Sequence, residues 1–232
     1  MIEKPELFMK DSAREPIWLC DILSPKALLV VAHPDDETIF AGGLILKYQD
    51  TQWIIICCTT ENDTRRENEF ISACKFFEEK SHNKIQPIPL NLSLNQQHSK
   101  EQLIDKLKLY AKDDFDIVLT HNRQGEYGKD HHKMVHHCVI KSIAHPNTWV
   151  FISPGSSNVN QDELKSKKRN GNITEKLSPE IIKMKLDAFQ KCHKSQADLY
   201  GYIDGKLRDS NLKETLSWYF EETGNEQFAY YM

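Results

Sequence analysis

The segment ALLVVAHPDDE, residues 27–37, decides the fold because a continuous apolar run gives way to a charged turn within it. Residues 27–32 are apolar without alternation, which is typical of a β-strand buried on both faces of a sheet. A proline and charged side chains follow at 33–36, and the periodic apolar pattern of 37–49 predicts a helix. The segment therefore predicts a buried strand, a short polar turn and a helix, which is a unit of α/β folds.

The same alternation continues along the chain. Further apolar runs of strand length are found at 53–58, 116–120 and 149–152. Longer periodic segments, which predict helices, are found at 64–80, 99–112 and 131–143. Buried strands that alternate with helices indicate a parallel sheet covered on both faces. We therefore predict an α/β protein with a three-layer, Rossmann-like fold and a mostly parallel central sheet.

The remaining segments are less regular. Residues 153–177 are polar and lack periodicity, so we expect a surface loop. Pro179 is favourable at the first position of a helix, and we expect that helix to run to about Gln196. The last thirty residues are rich in aromatic side chains, which we expect to cover a sheet edge or a pocket rim, or to stack on a sugar. Nothing indicates a second unit, so residues 1–232 are predicted to form a single domain.

Composition excludes several classes of protein. A net charge of −4 with mixed signs gives no electrostatic footprint for nucleic acid. The short basic run at 165–169 is typical of a solvated loop, with a phosphate-rich partner as the alternative. We expect neither a signal peptide nor an integral membrane segment, and cysteines without a CxxC pair favour a reducing, cytoplasmic location. The oligomeric state stays open.

The turn after the first strand has the composition of a metal site. His33, Asp35, Asp36 and Glu37 follow a buried strand, and ligand sites collect at the carboxyl ends of such strands. Three consecutive carboxylates repel one another unless a cation compensates, and histidine with carboxylate suits zinc or iron. The alternative is that these carboxylates only cap the next helix. One carboxylate would be enough for that purpose.

A second polar segment follows the strand at 116–120. It reads THNRQGEYGKDHH over residues 120–132, and five of the ten histidines of the chain lie between positions 121 and 137. Because it also follows a buried strand, it is predicted to share a sheet edge with the first turn. His132 and His136 are four residues apart and fall on one helical face. The spacing alone leaves open which histidines are ligands.

Together the two segments resemble the LmbE/PIG-L family of zinc-dependent N-deacetylases. Residues 32–37 match the AHPDDE signature of the family without a change, and residues 120–132 resemble THNxxGEYGHPxH of one bacterial branch. Two further elements, an RxxExxxA spacing and a late SQ pair, match Arg66, Glu69 and Ala73, and Ser195 with Gln196. The resemblance extends over about residues 27–200.

The resemblance implies a site and an activity. Zn²⁺ would be bound by His33, Asp36 and His132, which leaves positions open for water and substrate. Asp35 would be the general base for the attacking water, and Tyr127 would help to polarise the carbonyl group. The implied activity is removal of an N-acetyl group from an amino sugar or an N-acetylglucosamine-containing conjugate, so the partner would be a small molecule or a glycoconjugate.

The chain departs from the family where the first histidine of HPxH would stand, because Lys129 occupies that position. Lys129 would donate to an oxyanion as a fixed cation, and His131 is the alternative for this role. On the substrate side, the resemblance implies that Arg66 contacts sugar hydroxyls; a helix pair with Glu69 is the alternative.

Asn122 and Glu126 would either bind the sugar or hold the loop. Two other functions remain in contention: a metal hydrolase of another amide or an ester, and a non-catalytic sugar- or metal-binding module. Asp35 argues against the second of these, because a structural metal site does not need a spare carboxylate beside its ligands.

Overall fold

The computed structural model describes residues 17–60, 62–96, 98–152, 172–199, 202–203, 206–207 and 225–231. The strands of its main sheet are β1 (Lys26–Val31), β2 (Gln52–Cys57), β3 (Lys84–Pro89), β4 (Ile117–Thr120), β5 (Thr148–Phe151), β6 (Asn172–Lys176) and β9 (Asn225–Tyr231). Strands β7 (Tyr202–Ile203) and β8 (Lys206–Leu207) pair with each other. The α-helices are α1 (Asp36–Lys47), α2 (Thr64–Ser81), α3 (Ser99–Leu107), α4 (Asp130–Ser142), α5 (Pro179–Cys192) and α6 (Lys194–Leu199).

Strand β1 lies inside the parallel part of the sheet. The strand order is β3-β2-β1-β4-β5-β9-β6; the first five strands are parallel, and β9 is antiparallel to both of its neighbours. Alternate residues of β1 point to opposite faces. Leu29 and Val31 join the apolar core formed with α1, α2 and α5, whereas Leu28 and Val30 join the core formed with α3 and α4. The predicted α/β fold with a mostly parallel central sheet is therefore confirmed.

The strands that the sequence analysis missed lie away from the centre. Strand β3 (KIQPIP) is at the edge of the sheet. Its two prolines cannot donate backbone hydrogen bonds, and an edge strand tolerates them because one of its sides has no neighbouring strand. Strand β6 corrects the expectation of a loop over 153–177, since residues 172–176 pair with β9; residues 153–171 lie outside the described residues. The aromatic C-terminal segment contributes β9, which lies within the sheet between β5 and β6.

The predicted helix from Pro179 to about Gln196 is in fact two helices. Helix α5 ends at Cys192, and His193 leaves the helical conformation with φ −101° and ψ 50° before α6 begins. This break turns the His193 side chain into the core, where it is fully buried. Within the described residues, no helix combines the length and the apolar character that crossing a membrane requires.

Candidate metal centre and active site

The turn between β1 and α1 carries a strained aspartate. Asp35 has φ 120° and ψ −30°, a region that residues with a side chain rarely adopt and that tends to persist at functional sites. Asp35 stands at the N-cap position of α1, yet its side chain makes no capping hydrogen bond. Asp36 instead accepts a hydrogen bond from the backbone N–H of His33, at 2.8 Å. Capping therefore does not explain the carboxyl group of Asp35.

Glu37 stabilises this strained backbone through a hydrogen bond to its carboxylate. Its carboxylate accepts hydrogen bonds from the backbone N–H of Asp35 (3.1 Å), the hydroxyl of Thr38 (2.7 Å) and Nε2 of His193 (2.7 Å). Glu37, Thr38 and His193 are all fully buried. The carboxylate of Glu37 thus stabilises the turn from inside the core, and it is held there by His193, the residue between α5 and α6.

Three of the predicted residues converge on one point. Oδ2 of Asp36 lies 3.3 Å from Nδ1 of His33 and 3.5 Å from Nε2 of His132, and the two ring nitrogens are 3.3 Å apart. Ligand atoms at the corners of a tetrahedron around Zn²⁺, with bonds of about 2.0–2.1 Å, stand about 3.3–3.4 Å apart. We call this arrangement the metal triangle. Its size fits a zinc ion with one tetrahedral corner left for another ligand.

The hydrogen bonds around the triangle leave both histidines in the tautomer that a metal requires. Nδ1 of His132 donates to Glu126 at 2.6 Å, so the lone pair of its Nε2 faces the triangle. Nε2 of His131 donates to Oδ1 of Asn95 at 2.7 Å. Nδ1 of His131 therefore accepts from Nε2 of His33, at 2.9 Å, and the lone pair of His33 Nδ1 also faces the triangle.

Glu126 orients the second polar segment. Its buried carboxylate accepts hydrogen bonds from His132, from Nδ1 of His121 (2.9 Å) and from the backbone N–H of Asn122 (2.8 Å). Nε2 of His121 is also engaged, since it lies 3.0 Å from the backbone nitrogen of Ala32 and 3.4 Å from Oδ2 of Asp36. His121, Glu126 and His132 also lie close enough to hold a cation, but Nδ1 of both histidines is already hydrogen-bonded to the Glu126 carboxylate. Glu126 is placed to hold the loop and His132.

Asn122 has the same kind of role. Its Nδ2 donates to the carbonyl of Phe151 at 2.9 Å, and its Oδ1 accepts from the backbone N–H groups of Gln124 (2.8 Å) and Glu126 (3.2 Å). Both Asn122 and Glu126 are buried. The geometry favours the loop-holding interpretation of these two residues over direct contact with a sugar.

We expect Glu126→Gln to weaken metal binding by about 10–100-fold, which is typical when a partner of a ligand histidine is lost. The amide has only one oxygen, so it cannot accept from His132, His121 and the loop together. A chelator competition titration measures the change. Asp130→Asn is the matched control, because it makes the same chemical change at a carboxylate that is 91% exposed. Equal affinities in the two variants would contradict this role of Glu126.

The two neighbouring aspartates differ in acidity. Burial and the adjacent charge of Asp36 raise the pKa of Asp35 well above its usual range, and Arg66 offsets only part of this rise. Burial also disfavours the charge of Asp36, but the imidazoles of His132, His121 and His33 outweigh it and hold the pKa of Asp36 well below its usual range. One carboxylate is therefore a permanent anion at the triangle, and its neighbour readily accepts a proton.

Arg66 lies behind Asp35. Its Nη2 donates to the backbone carbonyl of Pro34 at 2.7 Å and stands 3.7 Å from Oδ1 of Asp35, and the side chain is 12% exposed. Glu69 accepts hydrogen bonds from the backbone N–H and the hydroxyl of Ser195, at 2.8 and 2.6 Å. The RxxE pair thus connects the strained turn to the SQ element near the start of α6.

Tyr127 and Lys129 stand on the outer side of the site. The Tyr127 side chain lies 5.5 Å from the ring of His132, between ring centroids, and the residue is 41% exposed. Nζ of Lys129, which is also exposed, stands 5.8 Å from the centroid of the Tyr127 ring. His131 is hydrogen-bonded to His33, a residue of the triangle, whereas Nζ of Lys129 lies over the ring of Tyr127. The two candidates for the missing histidine therefore occupy different positions.

Comparison with known sequences finds a matching protein family. Residues 28–143, half of the chain, match the family described as GlcNAc-PI de-N-acetylase. An uncharacterized protein of Acanthamoeba polyphaga mimivirus is 28% identical over 140 residues, which cover 53% of this chain and 60% of that protein. The chain thus spans about 60% of the length of the curated relative that it matches.

Solved structures share the fold at low identity. Teicoplanin deacetylase Orf2 in its zinc-inhibited form has a TM-score of 0.57 at 13% identity, covering 88% of this chain and 97% of that chain. N,N'-diacetylchitobiose deacetylase from Pyrococcus horikoshii has a TM-score of 0.59 at 19% identity, with coverages of 89% and 84%. The 4-carboxy-2-hydroxymuconate hydratase GalB from Pseudomonas putida has a TM-score of 0.57 at 14% identity, with coverages of 89% and 95%. Because deacetylases and a hydratase share this fold, activity has to be argued from the site.

Proposed function

Since this chain belongs to the GlcNAc-PI de-N-acetylase family, we propose that it is a zinc-dependent hydrolase that removes an N-acetyl group from an amino sugar or an N-acetylglucosamine-containing conjugate. The observation that carries the proposal is the position of Asp35. A carboxyl group with a raised pKa stands beside the metal triangle and takes no part in it. A metal site with only a structural role would have no use for this group, whereas hydrolysis needs a base.

The metal triangle would hold the cation through His33, Asp36 and His132. Two imidazoles and one carboxylate are a donor set that zinc accepts in hydrolases, and the set leaves coordination positions open. When bound, Zn²⁺ would supply Lewis-acid chemistry, lowering the pKa of a water molecule and polarising an amide carbonyl group. Glu126 and His131 would keep the two histidines in their ligating tautomers.

The residues of the chain would divide the remaining work. Asp35 accepts the proton of the water molecule that attacks the acetyl carbon, and Glu37 and Arg66 hold Asp35 in the conformation that this requires. The hydroxyl of Tyr127 donates to the carbonyl oxygen, where negative charge develops. The departing amine nitrogen needs a proton, which Asp35 holds after the attack. The half-exposed face of Tyr127 is where the sugar would enter.

Release of acetate tests the proposal. The purified chain is incubated with a panel of N-acetyl sugars and simple N-acetyl amides and acetate esters, with and without a chelator. We expect acetate from the sugars, loss of activity in the chelator and recovery with zinc. Release only from the non-sugar amides or from the esters would instead indicate the alternative hydrolase. Sugar binding without any acetate release would indicate a non-catalytic module.

Lys129→Met tests the oxyanion role proposed for the lysine. The change keeps most of the side-chain length and removes the charge next to Tyr127. We expect kcat to fall by about tenfold with little change in KM, less than the 10²–10³-fold of a buried oxyanion donor, because Lys129 is exposed to screening solvent.

Lys108→Met is the control for Lys129→Met, since Lys108 is an exposed lysine just after α3, outside the candidate active site. A higher KM with unchanged kcat would mean that Lys129 binds an anionic substrate instead. An unchanged kcat/KM would leave the role to Tyr127 and His131.

A further inference from the structure

A cavity lies beside the loop that carries Glu126. It has a volume of about 450 Å³ and lies between α4 and the end of β9. Its described lining consists of Arg123, Lys133, His136, His137, Ile140 and Tyr231. None of the residues of the metal triangle is among them. The cavity is therefore distinct from the metal triangle, although it shares a loop and a helix with the candidate active site.

The described lining of this cavity contains two cations and no carboxylate. Among the described residues, Arg123 has neither a hydrogen-bond partner nor an ion-pair partner. Lys133 pairs with Asp130 at 2.9 Å, but a carboxylate that is 91% exposed neutralises it only weakly. Burial and then the charges of Lys100 and Lys141 lower the pKa of the neighbouring His137. This cationic lining occurs in a chain whose net charge is −4.

The His136 side of the cavity is fixed by contacts within the protein. His136 is 4% exposed, its Nδ1 donates to the backbone carbonyl of His121 at 2.8 Å, and its ring lies edge-on to Tyr231 at 5.0 Å. These contacts hold the imidazole and leave Nε2 as the nitrogen available to a ligand. The loop also lies tightly on the stem of Lys133, since a Cβ added to Gly125 would stand 3.0 Å from its Cγ. His136 and the stem of Lys133 are thus held in place at the border of the cavity.

We propose that this cavity binds the phosphate group of a phosphorylated, hydroxyl-bearing small molecule such as a sugar phosphate. A guanidinium group offers two parallel donors to phosphate oxygens, and an ammonium group adds a point charge. The volume is far larger than a phosphate ion requires, which leaves room for an organic remainder. Because Nδ1 of His136 is engaged with the carbonyl of His121, Nε2 is the ring nitrogen that can hydrogen-bond a ligand hydroxyl. This inference does not rest on the proposed hydrolysis.

The position of the cavity connects it to the metal triangle. His136 donates to the carbonyl of His121, and the ring of His121 stacks on that of His132 with 3.8 Å between centroids. The phosphate belongs either to a substrate that reaches both the cavity and the metal triangle or to a separate effector. Both sources share the same phosphate chemistry, and kinetic measurements separate them.

Calorimetric titration of the zinc-loaded chain tests the proposal, with inorganic phosphate and glucose 6-phosphate as probes at constant ionic strength. We expect glucose 6-phosphate to bind more tightly than inorganic phosphate, and Arg123→Gln to weaken both by tenfold or more. Arg65→Gln is the matched control, since its arginine side chain is 69% exposed on another helix. Phosphate bound to zinc itself would be equal in all three proteins and would cancel in the comparison.

Lys133→Met provides a second variant that keeps the apolar stem beneath the loop and should weaken both probes as well. Unchanged affinity in Arg123→Gln and Lys133→Met would overturn the proposal. The kinetic arm then identifies the source. A higher KM of Arg123→Gln for N-acetylglucosamine 6-phosphate, but not for N-acetylglucosamine, supports a substrate phosphate. An unchanged KM, with turnover that responds to added glucose 6-phosphate in the wild type only, supports an effector.

Discussion

Asp35→Asn is expected to lower kcat by about 10²–10⁴-fold, the usual loss when a general base is removed. The amide is nearly isosteric with the carboxyl group but cannot take a proton from the attacking water. Metal content should stay unchanged, because Asp36 and not Asp35 faces His33 and His132. The measurement combines acetate release with metal analysis of the same sample, so a loss of rate can be told apart from a loss of zinc.

Asparagine also tolerates unusual backbone angles better than most residues, so the positive φ of position 35 should survive the substitution. Asp113→Asn, at an exposed aspartate before β4, is the control and should keep full activity. A near-normal rate in Asp35→Asn would transfer the role of base to another group. Neither nearby candidate is a good replacement, because the carboxylate of Glu37 is engaged inside the core and both ring nitrogens of His131 are hydrogen-bonded.

His132→Ala is expected to reduce bound zinc from about one per chain to a small fraction of that, since a catalytic zinc site has only about three protein ligands. The substitution removes one corner of the metal triangle and leaves Glu126 with an unfilled acceptor in a buried place. Metal analysis after dialysis measures the loss. His137→Ala, at an exposed histidine of the same helix, should retain its zinc.

His33→Ala decides between the two groups of residues that could hold a cation. The metal triangle contains His33, whereas the alternative group consists of His121, Glu126 and His132. We expect His33→Ala to lose zinc as fully as His132→Ala does. Zinc retained in His33→Ala but lost in His132→Ala would place the ion in the alternative group and would remove the argument for Asp35 as its neighbour.

The amino-acid sequence by itself determined those features of this protein that depend on residues adjacent in the sequence. The run at 27–32 is apolar at every position, so β1 had to be buried on both faces, and the parallel α/β arrangement follows from its repetition. The charged turn at 33–37 and the histidines of 120–132 each follow such a strand, which places both at the carboxyl edge of the sheet. The choice of His33, Asp36 and His132 among several candidates came from the family resemblance.

The edge strands could not be predicted in this way. Strand β3 carries two prolines, and β6 is a polar five-residue segment, so neither has the apolar pattern by which a buried strand is recognised. Both lie at an end of the sheet with one neighbour each. Their strand conformation comes from pairing with β2 and with β9, not from a local preference.

Only the tertiary structure decided which polar residues face the site and which support it. His193 reaches Glu37 across 156 positions of the chain, and His131 reaches His33 across 98. Glu126 is close to His132 in sequence, but only burial of the loop turns its carboxylate toward two imidazoles. The physical reason is that a buried polar group must find a partner wherever the fold provides one, and no local pattern encodes a partner a hundred residues away.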